Sequence, residues 1–407
     1  MPVNRIYLDY NATTPLDPGV RDVFFSALDL YANASSMHED GRHAAAQMEQ
    51  ARRQVASLIH AEPEEIYFTS GGSESNNTVF HLLSEDGSFS TKAMQDAFGG
   101  RKTVITTAVE HPCVMESARR LARLGFSVVF LPVDADGVVS EDVYRAALDK
   151  ACSSGRTEDK PLLVSVMTAN NEIGTIQDVK KFAALAREAG ALFHTDAVQA
   201  AGKIPVDVKD SGVDYLTLSC HKIYGPKGVG ALFVKKGAPF SPLIRGGHQE
   251  HGRRAGTYNS PSIIAFGAAA ECAEKGLADY AAHTSALKAM LRDGLLHSVP
   301  DIRINGDVPA SLPNTLDVSF AGAEGESILL MLDLQGISAS TGSACASGSL
   351  EPSHVLMATG IGPELAHGSI RFSLGKFTTE EEIRRVLEVI PPVIEKLRAY
   401  STVKPGK

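Results

Sequence analysis

A lysine at the end of an apolar segment is the first residue whose type and position suggest chemistry. Residues 214–228 have the pattern of a strand that runs into a Gly/Pro turn, and Lys222 lies at the exit of that strand. Ligands of α/β proteins bind beyond the carboxyl ends of strands, where a desolvated amine can form a Schiff base. A lone lysine is more commonly a solvated surface residue, so a catalytic role for Lys222 needs support from other residues in the sequence.

A carboxylate and an amide follow another candidate strand. Asp196 ends the apolar run 192–195, and Gln199 comes three residues later. Pyridoxal 5'-phosphate (PLP), which binds lysine covalently, needs an anion that keeps its ring nitrogen protonated. Asp196 could supply that anion, or it could only cap the next helix. With Lys222, it suggests a PLP site.

A Gly/Ser-rich segment at residues 69–77 could hold a phosphate. Gly72 and Ser73 stand where a strand gives way to a helix, so that backbone N–H groups can converge on an anion. An ordinary strand-to-helix turn has the same composition. Ser219 and His221, which flank Lys222 in the sequence, could add donors.

Two further polar residues follow strand candidates. His111 directly precedes a predicted helix start, and it could stack on an aromatic cofactor and move protons near neutral pH. A lone histidine is more often structural. Asn171 also follows an apolar strand, where it could be only a turn residue.

A cysteine and an arginine in the last third of the sequence are the remaining candidate site residues. Cys345 lies among small residues at 340–349, which favours an exposed, mobile loop because a structural cysteine normally has large apolar neighbours. Arg371 alternates with Ile370 and Phe372, so it points away from their face and could bind a carboxylate at two points. A solvated strand face is the alternative for Arg371.

The elements that must position these residues alternate along the first part of the chain, which predicts an α/β fold with a mostly parallel sheet between helices. The strand candidates are 65–69, 103–107, 127–131, 162–168, 192–195 and 215–219, and the clearest helices are 113–124, 141–150 and 179–189. Polar segments 84–100 and 153–160 are predicted to be turn-rich surface insertions.

The pattern changes after Gly237, where a Gly-rich loop leads into a long Ala-rich helical region at 262–297. This change predicts a second domain. Its strand candidates are 315–320, 337–340 and 369–374, and residues 379–398 form its closing helix.

Composition narrows the classes of function. The chain has 407 residues, enough for two or three domains, and its net charge of -9 makes nucleic acid an unfavourable partner. No stretch has the eighteen or so apolar residues that a membrane span requires, so we expect a cytoplasmic protein. The five cysteines contain no C-x-x-C pair, which favours reduced thiols over disulfides or zinc.

Taken together, the motifs resemble the NifS/IscS class of cysteine desulfurases, fold-type I PLP enzymes related to class V aminotransferases. The resemblance spans nearly the whole chain. Its motifs are residues 7–15, 219–222, 246–250, 342–345 and 347–354. It implies a large PLP-binding domain at 16–260 with a seven-stranded sheet, and a small α+β domain at 261–407. Residues 1–15 would belong with the small domain, and the mobile catalytic loop would span about 338–352.

The resemblance also implies a role for each candidate. Lys222 would hold PLP, Asp196 would pair with the ring nitrogen, and His111 would stack on the ring. Asn171 and Gln199 would contact the ring hydroxyl side. The phosphate ligands would be Gly72, Ser73, Ser219, His221 and, from the other subunit of a homodimer, Thr257. The substrate-binding residues would be Asn33, Asn171 and Arg371.

The implied reaction converts L-cysteine to L-alanine. Lys222 and His111 would move protons, and Cys345 would take the sulfur as a persulfide and pass it to a scaffold protein for iron–sulfur cluster assembly. The motifs at 106–112 and 245–250, with a short tail, favour the nitrogen-fixation type, which supplies nitrogenase. Thr341, Ala346 and His251 depart from residues usual in this class, but none touches a proposed catalytic atom.

Other functions remain open. A housekeeping IscS-type enzyme, a selenocysteine lyase and a class V aminotransferase would share the scaffold. A non-catalytic sulfur carrier or cluster scaffold would use Cys345 as a ligand, but this cysteine lacks companions at ligand spacing. We predict no resident metal site, although Cys345 could bind an iron–sulfur cluster transiently.

Overall fold

Two larger sheets and a two-stranded one organise the computed structural model, which describes residues 5–83, 92–342 and 352–401. The strands in these ranges are β1 (Ile6–Tyr7), β2 (Ile66–Thr69), β3 (Thr103–Thr107), β4 (Ser127–Leu131), β5 (Pro161–Ser165), β6 (Leu192–Asp196), β7 (Tyr215–Ser219), β8 (Gly230–Val234), β9 (Ile302–Asn305), β10 (Thr315–Phe320), β11 (Ile337–Ser338) and β12 (Ser369–Ser373).

The helices surround both sheets. They are α1 (Pro18–Ala27), α2 (Glu39–Leu58), α3 (Gly72–Leu82), α4 (Lys92–Phe98), α5 (Pro112–Arg123), α6 (Glu141–Ser153), α7 (Val179–Glu188), α8 (Val208–Ser211), α9 (Ser260–Lys275), α10 (Leu277–Ser298), α11 (Gly325–Leu334), α12 (His354–Ala358), α13 (Pro363–His367) and α14 (Glu380–Tyr400).

The larger sheet has seven strands in the order β2-β8-β7-β6-β5-β3-β4. All of its neighbouring pairs are parallel except those of β8, which runs antiparallel to β2 and β7. This arrangement confirms the predicted α/β class with a mostly parallel seven-stranded sheet. Strand β8 was missed by the sequence analysis because it is a short apolar run that follows closely on the turn after Lys222.

Both faces of the large sheet are covered, so every residue of its central strands β6 and β7 is buried. Alternate residues enter two different hydrophobic clusters: Leu192 and Tyr215 pack on one side, whereas Phe193 and Leu216 pack on the other. The sheet is therefore a rigid platform whose carboxyl edge can hold polar groups.

The smaller sheet is antiparallel, in the order β12-β10-β9. Its core includes Leu316, Phe372 and Ile390, and also Leu8 from the N-terminal segment. Strand β1 pairs in parallel with β11. The amino end of the described chain therefore packs with the C-terminal elements, while the domain bounds at 15 and 260 stay a prediction.

Several predicted elements differ in detail. The expected helical region 262–297 is two helices, α9 and α10, which meet at Gly276, a residue of low helix propensity. The predicted turn-rich insertion at 84–100 contains helix α4, with residues 84–91 outside the described part. Strand β9 was missed; its neighbour β10 was predicted correctly at 315–320.

A buried ion pair joins α2 to the segment after β8, and its loss is expected to destabilise the fold. Arg52 donates to both carboxylate oxygens of Glu250, at 2.7 and 2.9 Å, and both residues are buried. Removing one partner leaves the other charge buried and uncompensated. We expect Arg52→Met to lower the free energy of unfolding by about 3–5 kcal/mol in urea titrations.

The matched control for this prediction is the neighbouring residue of the same helix. Arg53 is exposed, and its hydrogen bonds within the described part of the chain go to Gln50, so Arg53→Met should change stability little. Equal losses in the two variants would contradict the assignment of the effect to the buried pair.

Candidate active site

One cavity at the carboxyl edge of the large sheet brings most of the predicted residues together. Its volume is ≈ 330 Å³. The predicted residues that line it are Gly72, Ser73, His111, Asn171, Asp196, Gln199, Ser219, His221, Lys222 and Arg371. Cys345 lies outside the described residues.

Lys222 reaches the cavity from a short 3-10 turn, Cys220–Lys222, that directly follows β7. Its Nζ donates to the backbone carbonyls of Asn11 and Ala12, the latter at 2.8 Å. The amine is therefore held between the large sheet and the N-terminal segment. Asn11 and Ala12 were not predicted as site residues, since only the fold brings residues 210 positions apart into contact.

Asp196 is the last residue of β6, and its carboxylate is buried at the cavity. One oxygen accepts the backbone N–H of Val198 at 2.9 Å, a local turn contact. The other accepts from Asn76 Nδ2 at 2.6 Å. No described helix begins directly after β6, so Asp196 does not cap one, and the Val198 contact closes a turn instead. Asn76, on α3, is another site residue that was not predicted.

The N-terminus of α3 offers backbone donors to the same space. The helix begins at Gly72 and its N-cap residue, Gly71, makes no side-chain cap. A Cβ on Gly72 would come within 2.9 Å of Val198 Cγ2, so glycine keeps the approach open. Ser73, Ser219 and other residues here also line an adjoining cavity of ≈ 490 Å³. Uncapped N–H groups at a helix start favour an anion.

Two histidines at the site are held uncharged by their surroundings. Burial, followed by the charge of Lys222, lowers the pKa of His221 to about 4. Burial also lowers the pKa of His111; the Asp196 charge opposes this shift, and Lys222 and His354 reinforce it. Both rings are therefore neutral at pH 7. A neutral imidazole can still donate one hydrogen bond to an anionic ligand, although it brings no positive charge to the site.

Arg371 lies on β12, whose Ile370 and Phe372 are in the small-sheet core. The guanidinium is buried at the cavity, and it donates to Asp9 Oδ1 and to the Asn171 carbonyl, each at 2.9 Å. Its Nε has no hydrogen-bond partner among the described residues. A buried cation with an unused donor can bind a carboxylate.

A second lysine, which the sequence analysis did not identify, lies behind the first. Lys203 is almost fully buried, and its Nζ donates to Gln199 Oε1 at 2.5 Å and to Asn11 Oδ1 at 3.1 Å. Burial lowers its pKa well below the usual value, and the charges of Lys222 and Arg371 act in the same direction. The sequence carries no signal for this role, because nothing local marks a lysine as buried.

The lysine also orients Gln199. A backbone carbonyl only accepts, so Gln199 must turn its Nε2 toward the Asn11 carbonyl, 3.0 Å away, and its carbonyl oxygen then accepts from Lys203. Gln199 therefore presents donors toward the N-terminal segment and the cavity.

Two predicted residues lie apart from the cavity. Asn33 is exposed, and its side chain accepts from the Ser35 backbone N–H at 2.9 Å in a local turn. Thr257 is exposed and is not among the lining residues. Their assigned roles stay predictions.

Both flanks of residues 343–351 lie near one buried carboxylate. Glu172 accepts a hydrogen bond from Ser353 Oγ, and a Cβ on Gly342 would come within 3.0 Å of Glu172 Oε2. Gly342 also lines the active-site cavity. The last described residue before Cys345 thus lies at the cavity wall.

The described residues contain neither a membrane-spanning helix nor a metal cluster. No described helix combines the length and apolarity needed to cross a bilayer. Within the described residues there is also no group of three or more His, Cys, Asp or Glu side chains that could hold a metal ion.

Comparisons with known proteins agree on one family. The model of the family "Aminotransferase class-V" matches residues 6–386. The chain is 46% identical over 400 residues to the cysteine desulfurase NifS of Azotobacter vinelandii, covering 97% of this chain and 94% of that protein. It is 45% identical over 401 residues to the cysteine desulfurase IscS of Dictyoglomus turgidum, covering 98% and 97%.

A solved structure shows the same fold. The structure of a NifS-like protein superposes with a TM-score of 0.86 at 37% identity, over 96% of this chain and 100% of that one.

Proposed function

The chain belongs to the class-V aminotransferase family, and from that premise we propose that it is a PLP-dependent cysteine desulfurase. The family that its motifs resemble is confirmed, as is the fold-type I architecture. The observation that carries the proposal is the meeting of Lys222, Asp196 and the uncapped start of α3 at one cavity.

The residues of this cavity fit PLP. The Lys222 amine suits an aldehyde, the buried Asp196 carboxylate suits a protonated ring nitrogen, and the Gly72–Ser73 backbone with Ser219 and His221 suits a phosphate. Bound there, PLP would supply an electron sink for reactions at the substrate's α-carbon. Asn171 and Gln199 would hold the ring hydroxyl side, and His111 would contact the ring.

The substrate carboxylate is assigned to Arg371. Its guanidinium is already fixed by Asp9 and the Asn171 carbonyl, so little rotamer entropy remains to be lost when an anion binds. Its Nε is buried without a hydrogen-bond partner among the described residues, and burial strengthens a charge-assisted hydrogen bond. Asn33 remains a second candidate for this region.

Cys345 is proposed to accept the sulfur. It lies three positions after Gly342, which is on the cavity wall, and that length of chain reaches about 11 Å at most. Its thiolate would attack the sulfur of the bound cysteine, whose C–S bond breaks with the electron pair left on carbon. Protonation of that carbon gives alanine, so that cysteine and one enzyme thiol yield alanine and one enzyme persulfide.

A homodimer is also proposed. Thr257 is exposed on the segment that Arg254 anchors to Glu74 through two hydrogen bonds of 3.0 and 3.2 Å. This segment lies beside the phosphate cradle but leaves Thr257 off the cavity wall. That placement suits a residue that serves the phosphate of a second subunit.

The sulfur is proposed to serve iron–sulfur cluster assembly in the cytoplasm, through a scaffold protein. Relatives named NifS and IscS are about equally similar to this chain. The motifs at 106–112 and 245–250 favour the nitrogen-fixation type, with nitrogenase as the destination. The housekeeping IscS type is the alternative.

Product analysis tests the proposed reaction. With PLP, L-cysteine and a reducing thiol, the protein should release alanine and sulfide in equal amounts without any added 2-oxo acid. Cysteamine, which lacks the carboxylate that Arg371 would bind, should release almost no sulfide. Formation of 3-mercaptopyruvate that depends on a 2-oxo acid would instead identify an aminotransferase and refute the desulfurase.

A further inference from the structure

A chain of polar side chains links the carboxylate of Asp196 to the ring of His111. Asn76 Nδ2 lies 2.6 Å from Asp196 Oδ2 and 3.2 Å from Cys113 Sγ, and that sulfur lies 2.9 Å from His111 Nδ1. We propose that Asn76 and Cys113 are positioning residues that hold His111 as a neutral ring with its proton on Nε2. His111 then serves as a fixed hydrogen-bond donor, and proton transfer is left to Lys222.

The direction of the chain is set at Asp196. A carboxylate only accepts, so Asn76 must turn its NH2 group toward Asp196. In that orientation Asn76 Oδ1 is buried without a hydrogen-bond partner among the described residues. Leaving a buried acceptor unsatisfied is unfavourable. Because Asn76 nevertheless adopts this orientation, its contact with the Asp196 carboxylate must outweigh that cost.

The same NH2 group then orients the thiol. Its second hydrogen faces Cys113 Sγ, so the sulfur accepts from Asn76 and its own hydrogen is available to His111 Nδ1. Burial raises the pKa of Cys113 to about 12, and the charge of Asp196 acts the same way. The thiol therefore keeps its proton near pH 7 and can donate it.

A second donor meets the same ring nitrogen. His111 is the N-cap of α5, and its Nδ1 accepts the backbone N–H of Cys113 at 3.2 Å. With two donors directed at Nδ1, the neutral ring must carry its hydrogen on Nε2. Protonating Nδ1 would break both contacts and place a positive charge at the positive end of a helix dipole.

The charged groups around the ring leave it neutral. Asp196 favours the imidazolium, whereas burial, Lys222 and His354 oppose it, and the pKa of His111 is lowered. The adjacent Glu110 adds no negative charge near pH 7, because burial raises its pKa to about 8. This donor role differs from the proton-transfer role that the family resemblance implies for His111.

Histidine NMR of the full-length protein tests the inference without turnover. With 15N-labelled histidine, long-range 1H–15N spectra distinguish protonated from unprotonated ring nitrogens, and His111→Gln identifies the His111 signals. We expect Nε2–H and an unprotonated Nδ1 from pH 8 down to pH 6, both as purified and with PLP added. An Nδ1–H tautomer, or a cationic ring at pH 7, in either sample overturns the inference.

Variants isolate the thiol. Cys113→Ala removes one donor to Nδ1 and should raise the pKa of His111 by about half to one pH unit, whereas Cys113→Ser should restore the parent value. Cys152→Ala, an exposed cysteine remote from the cavity, is the matched control and should have no effect. If Cys113→Ala leaves the His111 pKa at the parent value, the thiol has no positioning role.

The inference rests on the proposed function only in treating His111 as a residue of the reaction. A protein with the expected tautomer but no alanine formation would refute the desulfurase and leave the polar chain standing. An active desulfurase with Nδ1–H would do the reverse.

Discussion

Replacement of Lys222 by alanine is expected to lower cysteine turnover by on the order of 10³-fold or more. The Lys222 amine lies directly after β7, where it can bind the cofactor covalently, and it is also the group left to move protons. In the described structure it is held by the Asn11 and Ala12 carbonyls at the cavity. The loss should appear in kcat for alanine formation and in the visible absorption of PLP bound to lysine.

Two further variants test whether the loss comes from the missing covalent bond. Lys222→Arg keeps a positive charge but cannot condense with an aldehyde, so it should be as inactive as Lys222→Ala. Lys236→Ala, an exposed lysine outside the cavity, should retain full activity. Substantial turnover by either Lys222 variant would show that this residue is not the covalent attachment point.

Replacement of Cys345 by alanine is expected to separate cofactor binding from sulfur transfer. The variant should keep the PLP absorbance, because none of the residues proposed to hold the cofactor is altered. Sulfide release from cysteine should fall by on the order of 10³-fold, since no thiol remains on the segment that leaves the cavity at Gly342. Mass spectrometry of the parent protein after a short incubation with cysteine should find one added sulfur on the peptide that contains Cys345.

The control is another cysteine that plays no part in the site. Cys152 is exposed on α6, and Cys152→Ala should release sulfide at the parent rate. Unchanged sulfide release by Cys345→Ala would remove the persulfide step, and with it the distinction from other class-V activities.

Local sequence signals predicted much of the sheet and the residues at its edge. Strands at 103–107, 127–131 and 215–219 were predicted to the residue, because each is a short run of mainly β-branched and apolar residues bounded by turns. The motif residues Lys222 and Asp196 lie at strand ends, and the fold brings both to one cavity. Position at a strand's carboxyl end indicated a ligand site for each, and the resemblance of the combined motifs placed both at one cofactor.

Residues that act through long-range contacts were not predicted. Asn11 joins Lys222, Gln199 and Lys203, yet it lies about two hundred positions from them in the chain. Asn76 and Cys113 were also missed, because their significance depends on the packing of α3 against α5 beside Asp196. Helix and strand periodicity says which face of an element is buried, but not which polar groups meet there.

The most direct test of the central claim is to locate the cofactor's covalent bond. The PLP-saturated protein is reduced with borohydride, digested and mapped by mass spectrometry. The account predicts a single phosphopyridoxyl adduct, on Lys222. An adduct on the buried neighbour Lys203, or no lysine adduct at all, would contradict it.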